Sequence, residues 1–216
     1  MVKDLSKINS VIGNYVAELR DINVQKDSLR FRKNMERIGE LIAYEISKTL
    51  EYEEKEVETP LGTAAVNLIK DKIVCATILR AGLPFHQGLL NVFDHAENAF
   101  VTAYRKHSIG EDFEIAIEYV SSPVIQDKIL LLCDPMLASG ASMFLTYKAL
   151  LEKGEAKHTH ILSIVSSTQG IEYLRKKINP KKYTLWTAAI DSELTAKAYI
   201  VPGLGDAGDL AFGSKA

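Results

Sequence analysis

Cysteine is scarce: Cys75 and Cys133 are the two in a chain of 216 residues, and both sit inside apolar, strand-like runs. They read as buried structural thiols in a reducing cytoplasm, not as a disulfide framework. Long hydrophobic runs are missing too; none approaches the roughly 20 residues of a membrane helix, so no membrane partner is expected. The first residues, MVKDLSKINS, lack the charged-then-apolar design of a signal peptide. An excess of either charge is likewise absent, with 26 Lys and Arg against 28 Asp and Glu and a net charge of −2. No basic cluster is dense enough for a nucleic-acid partner. No G-x-x-x-x-G-K-[ST] occurs, which excludes a nucleoside triphosphate held in the P-loop manner. Nor is there an internal repeat or a low-complexity linker. What is present is an ordinary balance of 47% hydrophobic and 25% charged residues, enough to bury the core of one soluble, cytoplasmic α/β domain.

The apolar spacing places the elements. Phe31, Met35, Ile38, Ile42, Ile46 and Leu50 recur at steps of three and four, the stripe of a long amphipathic helix. EYEEKEVE (51–58) reads as a solvated charged segment. KIVCATIL (72–79) and NAFVTAY (98–104) are short buried strands around a helix near Phe85 to Phe93. In FEIAIEYV (113–120) the period is two, which predicts a half-exposed antiparallel strand in a hairpin or flap. KILLLCD (128–134) is a strand followed by a helix through Met143, Tyr147, Leu150 and Leu151, with Gly154 as its C′ residue. HILSIV (160–165) and YTLWTAAI (183–190) are further strands around a helix near Ile171 to Ile178, which Pro180 terminates. Alternating strands and helices predict a mostly parallel central sheet flanked by helices on both faces.

In such sheets ligands gather beyond the carboxyl ends of the strands. Three strand ends carry suitable chemistry. LLLCDPMLASGAS (130–142) runs from a buried strand through Asp134 into a loop of small residues and hydroxyls ahead of a helix, a phosphate cradle of backbone N–H groups and helix dipole. An ordinary turn with Ser as N-cap has the same composition. ATILRAG (76–82) and TAYRKH (102–107) each put an arginine, Arg80 and Arg105, directly after a strand. The guanidinium fork suits phosphate oxygens, although a surface arginine without a role looks alike. The tail, YIVPGLGDAGD, contains Gly203 to Gly208 in G-x-G-x-x-G spacing. A dinucleotide fold needs a full helix and an acid about 20 positions on, and only 8 residues follow Gly208.

Taken together, Asp134 to Ser142, ILRAG, YR and the glycine-rich tail resemble the uracil phosphoribosyltransferases over roughly residues 20 to 216. Cys133 stands where most of the wider superfamily has a first acid, and an apolar residue there is typical of the uracil enzymes. Ser139 replaces the usual Thr and Ala141 the usual Gly, while Lys106 and His107 replace the acid or Asn common after YR. The resemblance implies the type I phosphoribosyltransferase fold as one domain over 1–216, with an N-terminal helical segment (1–50), an antiparallel flap hairpin (105–123) and a C-terminal base-binding hood (183–216).

It further implies transfer of the phosphoribosyl group of phosphoribosyl diphosphate (PRPP) to N1 of uracil, giving UMP and diphosphate. Asp134, Arg105 and Asp206 are then the catalytic candidates. The PRPP site is Arg80, Arg105, Asp134, Pro135, Met136, Leu137, Ala138, Ser139, Gly140, Ala141, Ser142 and Asp206. Uracil falls to Ile200, Gly205, Asp206 and Ala207, because peptide groups of a glycine-rich loop can lie beside a flat ring and match its O2, N3–H and O4 edge. Magnesium is expected, held mainly by PRPP and water. No side chain suggests itself as a general base. A homodimer or larger homo-oligomer is implied, with GTP a candidate effector. Three alternatives stay open: an enzyme for a purine or orotate, an RNA-binding regulator on the same fold, and a flavodoxin-type phosphate-binding domain.

Overall fold

The computed structural model describes residues 1–107 and 113–214, with side chains described outside 104–116. In chain order the strands are β1 (Val2–Asp4), β2 (Tyr52–Thr59), β3 (Gly62–Ile69), β4 (Ile73–Leu79), β5 (Glu97–His107), β6 (Phe113–Ser121), β7 (Ile129–Cys133), β8 (Met136–Leu137), β9 (His158–Ser167), β10 (Tyr183–Asp191), β11 (Glu193–Leu194) and β12 (Ile200–Val201). The helices are α1 (Ile12–Arg20), α2 (Ser28–Ser47), α3 (Leu83–Leu90), α4 (Ala141–Leu151), α5 (Thr168–Lys177) and α6 (Ala207–Phe212).

The main sheet runs β1-β10-β9-β7-β4-β5-β6, with β8 beside β9. Its pairings are parallel except β5 with β6. Because side chains alternate across a strand, Ile73 and Cys75 of β4 face one layer of the core while Val74, Ala76 and Ile78 face the other. The first layer holds Phe31, Met35, Ile38, Ile42 and Ile46 of α2 with Phe85 of α3. The second holds Met143, Tyr147 and Leu150 of α4 with Ile171 and Leu174 of α5. Asp27 caps α2, its side chain accepting from the Arg30 N–H at 3.1 Å. Helices α2 and α3 touch backbone to backbone: a Cβ on Gly88 would lie 2.0 Å from the Glu36 carbonyl oxygen. No described helix is long and apolar enough to cross a membrane.

The strands and helices read from periodicity are present, and the strand at 113–120 is the antiparallel partner of β5. Three readings need correction. Residues 51–58 are solvated, as read, but they are not without structure: Tyr52–Thr59 pair with Gly62–Ile69 in a separate two-stranded hairpin. Charge on one strand concealed it, since its partner carries the apolar residues. The 1–50 segment is not helical throughout, because Val2–Asp4 extend the main sheet parallel to β10. Finally, α4 ends earlier than expected; Glu152 is its C-cap, and Gly154, at φ +126°, lies one position past C′. Both cysteines are free and fully enclosed, and burial pushes the Cys133 thiol up to about 12.

Candidate active site

The strand carboxyl ends and the C-terminal tail meet in one cleft. A cavity of 210 Å³ is lined by Asp134, Met136 to Gly140 and Ser142 from one side and by Ala198 to Ile200 and Gly205 to Gly208 from the other. A second, of 150 Å³, adjoins it between Arg80, Asp134, Ser142, Asp206 and Gly208.

The loop after β7 is built from its neighbours inward. Leaving β7, the chain donates the Asp134 N–H to the Leu162 carbonyl at 3.1 Å, and the Pro135 carbonyl accepts from Ile164 and Val165, both at 3.0 Å. The Ala138 carbonyl then accepts from the buried Ser167 hydroxyl at 2.6 Å, and Ser167 Oγ in turn accepts the Gly170 N–H at 2.8 Å. Ser167 thus caps α5 and turns the Ala138 carbonyl away from the cleft. Gly140, at φ +83°, is the N-cap of α4 and carries no capping side chain. The first-turn N–H groups of a helix lack intrahelical partners, so α4 presents donors and a positive dipole end to the loop. Ser139 is exposed at the rim, its hydroxyl 3.4 Å from the Ala141 N–H.

Gly170 makes this packing possible. A Cβ there would lie 2.3 Å from the Ala138 carbonyl oxygen and 2.9 Å from that of Leu137. Gly170→Ala therefore has to push the loop outward, and affinity for ribose 5-phosphate is expected to fall at least tenfold, since misplaced donors lose most of a preorganised contact. Calorimetric titration checks this; unchanged affinity in a folded variant means that the loop does not hold the phosphate.

Asp134 lies at the cleft floor. Part of its side chain faces the opening, yet the surrounding protein disfavours its charge and raises its pKa to about 7, with the Met136 N–H, 3.4 Å away, opposing weakly. Arg80 projects from the end of β4. Its Nη2 donates to Asp209 Oδ1 at 3.0 Å and to the Gly213 carbonyl at 3.1 Å, while its buried Nε has no partner among the described residues. A buried guanidinium N–H without an acceptor beside an open cavity suits an incoming anion. Asp206 caps α6, its Oδ1 accepting from the Asp209 N–H at 3.0 Å. Ile200 is buried in β12, and Gly205 (φ +90°) and Ala207 follow along the cavity wall.

Of the residues read from the sequence, Arg80, Asp134, Met136 to Gly140, Ser142, Ile200 and Gly205 to Ala207 line these cavities. Pro135 is buried behind the loop and Ala141 opens α4. Arg105 lies on β5, and its side chain falls outside those described. The sequence reading missed Ser167, Gly170 and Asp209, whose roles arise from contacts between distant segments. The only local signal was a serine three positions before a glycine at the start of a helix.

A parallel sheet with an acid-led loop of small residues, a strand-end arginine and a glycine-rich wall, all opening on one cleft, defines a phosphoribosyltransferase. A solved structure of a protein from Aquifex aeolicus superposes with TM-score 0.88 at 30% identity over 99% of this chain and 98% of that one. A hypoxanthine phosphoribosyltransferase from Staphylococcus aureus shares the fold, with TM-score 0.52 at 17% identity over 87% and 84% of the chains. Within that class, the model of the family described as uracil phosphoribosyltransferase matches residues 8–214. The curated uracil phosphoribosyltransferase of Porphyromonas gingivalis is 56% identical over 207 residues, 96% of this chain and 95% of that protein. The one from Methanothermobacter thermautotrophicus is 42% identical over 189 residues, 87% and 85%. The chain belongs to the uracil phosphoribosyltransferase family.

Proposed function

We propose that this cleft transfers the phosphoribosyl group of PRPP to N1 of uracil, releasing diphosphate and forming UMP. The observation that carries the reading is the shared cavity between the phosphate loop and the glycine-rich wall. In this reading the 138–142 loop and the start of α4 hold the 5′-phosphate, and Asp134 accepts from the ribose hydroxyls. Arg80, with Arg105 from the flap strand, neutralises the departing diphosphate as positive charge grows at C1 of the ribose. The peptide groups of Ile200, Gly205, Asp206 and Ala207 read the uracil edge, and Asp206 also lies beside the donor.

Magnesium fits the donor set. Among the described residues no three metal-ligating side chains cluster, while the Asp134 and Asp206 carboxylates border the 150 Å³ cavity with Arg80. That suits a hard cation arriving on diphosphate oxygens with its water, and those two carboxylates are the ones that would meet it. When bound it supplies charge neutralisation on the leaving group. No side chain is assigned as a general base: orientation and electrostatics favour attack of N1 on C1 of the ribose, and the N1 proton passes to water or to the departing diphosphate.

Initial rates with PRPP, magnesium and each of uracil, cytosine, orotate, hypoxanthine and adenine test the assignment. Cytosine has an amino group at the O4 position and no hydrogen on N3, which leaves buried peptide groups unpaired, a mismatch worth up to about 10⁴-fold. Uracil is expected to be preferred by that order; faster turnover of another base would reassign the pocket. Adding GTP to the same assay tests the effector, which rests on the resemblance alone.

The hairpin supplies the oligomer. Directly opposed residues share a face, so Val57, Ala64, Val66 and Leu68 lie together on one face of β2 and β3, beside Lys55 and Glu53, which oppose Val66 and Leu68, and Val57, Val66 and Leu68 are exposed. A lone two-stranded hairpin is marginal in water, and covering that face against a second copy removes the difficulty. Light scattering is expected to report a dimer or larger assembly for the wild type and a smaller species for Val66→Glu/Leu68→Glu. A monomeric wild type contradicts it.

A further inference from the structure

The uracil-reading loop is gripped from behind by a segment that belongs to none of the motifs. At the end of α1, Arg20 donates from Nη1 and Nη2 to Asp191 Oδ2 and Oδ1, each at 2.9 Å. The side chains of this fork-to-fork pair are 24% and 7% exposed. Both partners also hold Gly203. Asp191 Oδ2 accepts the Gly203 N–H at 2.9 Å, and Arg20 Nη1 donates to the Gly203 carbonyl at 3.2 Å. One residue of the glycine-rich wall thus has both peptide groups occupied by a single ion pair, whose members lie 12 and 183 positions away in sequence.

Strand β12 is also paired with β11, and Ile200 and Leu204 are anchored in the core, but the peptide of Gly203 between them is held by this ion pair. Gly203 adopts φ +56°, and a Cβ there would lie 2.1 Å from the Ile200 carbonyl oxygen, so residues 200–203 fold tightly back on themselves. Gln25 adds a second brace, donating to the Arg20 carbonyl at 3.0 Å. Its Oε1 lies 3.9 Å from where a Cβ of Gly205 would stand. Neither Arg20 nor Asp191 lines the cavities, whereas Ile200 and Gly205, on either side of Gly203, line the larger one.

A buried ion pair is a weak source of stability, because desolvation consumes most of its Coulombic gain. Its bidentate geometry is, however, well suited to fixing orientation. A base read only by peptide groups is discriminated as sharply as those groups are held, and glycines cannot hold themselves.

We propose that Arg20 and Asp191 are positioning residues for base recognition: the pair presets the Ile200 and Gly205 peptides against the pyrimidine edge without touching the substrate. This rests on the uracil reading above.

Steady-state kinetics of Asp191→Asn and Arg20→Lys, with melting curves to verify folding, test it. Arg20→Lys keeps the charge and loses the fork, and so serves if Asp191→Asn does not fold. The KM for uracil is expected to rise about tenfold or more, while the KM for PRPP stays within about twofold and the preference for uracil over cytosine narrows. An unchanged KM for uracil in a folded variant overturns the proposal, as does a parallel rise in both KM values, which is what general loosening of the scaffold produces. A wild type that does not use uracil fails the base assignment itself, and is thereby distinguished from a wild type that uses uracil with variants that behave like it.

Discussion

Asp134→Asn is expected to lower kcat/KM for PRPP by about 10²–10³ and, at the same time, to make the folded protein more stable at alkaline pH. Both effects come from one carboxylate held where its charge is unwelcome. Burial at the cleft floor raises its pKa to about 7, against an ordinary value of 3.8. The folded protein therefore binds that proton more tightly than the unfolded chain does. Between the two values the native state carries more proton, so stability falls as pH rises from about 4 through 7 and the loss is complete above. A full shift of this size corresponds to about 4 kcal/mol; the open side of the cleft screens it, and about 1 kcal/mol, roughly 2–4 °C in melting temperature, is the expected gain of the Asn variant at pH 8. At pH 4 the two proteins melt together. In kinetics, the acidic limb near pH 7 in kcat/KM for PRPP disappears with the carboxylate. Melting curves of both proteins at both pH values beside the rate profile check this, and an Asn variant with wild-type kcat/KM, or one no more stable than the wild type at pH 8, contradicts it.

Arg80→Gln is expected to cost a further factor of about 10²–10³ in kcat/KM, expressed chiefly in the KM for PRPP. Without substrate, Arg80 is engaged by Asp209 and the Gly213 carbonyl. Its pairing with Asp209 is the kind that diphosphate displaces easily, since the two side chains are 37% and 38% exposed and an ion pair that open is worth about 0–1 kcal/mol. The Nε adds a donor that no described protein group claims. In the proposed reading, removing the guanidinium removes a leaving-group contact, whereas removing Asp209 frees it. Asp209→Asn should accordingly change the KM for PRPP by less than about tenfold. Equal losses in the two variants would mean that the ion pair, and not the diphosphate contact, is what Arg80 provides. Initial rates at varied PRPP distinguish them.

The contrast between legible and hidden parts follows the range of the interactions. Strands β4, β7 and β9 and helix α2 declare themselves because burial on one or two faces writes a local period. The loop after β7 and the glycine-rich wall are legible for a related reason: the close approach to a ligand proposed for them restricts residue type at consecutive positions, and LASGAS and GLGDAG carry such a restriction openly. The hairpin of β2 and β3 is hidden, because its apolar residues face no core of this chain and its charged strand imitates solvent-exposed coil. Strand β1 is hidden by brevity. Asp209 falls inside the tail motif, but its partner Arg80 lies 129 positions away, and nothing local distinguishes a carboxylate that restrains an arginine from one that faces water. Ser167, Gly170, Arg20 and Asp191 are hidden in the same manner: each acts on a loop distant in sequence, so only the assembled fold reveals what it supports.

The central claim is that one cleft joins a phosphate loop after β7 to a pyrimidine-reading wall at the C-terminus. UMP spans both halves and ribose 5-phosphate only one, so calorimetric affinities of the two ligands for the wild type, Gly170→Ala and Gly205→Val test it most directly. The account predicts that UMP binding weakens at least tenfold in both variants and ribose 5-phosphate binding in Gly170→Ala alone. UMP affinity indifferent to either substitution, in proteins that melt as the wild type does, would separate the two halves and contradict it.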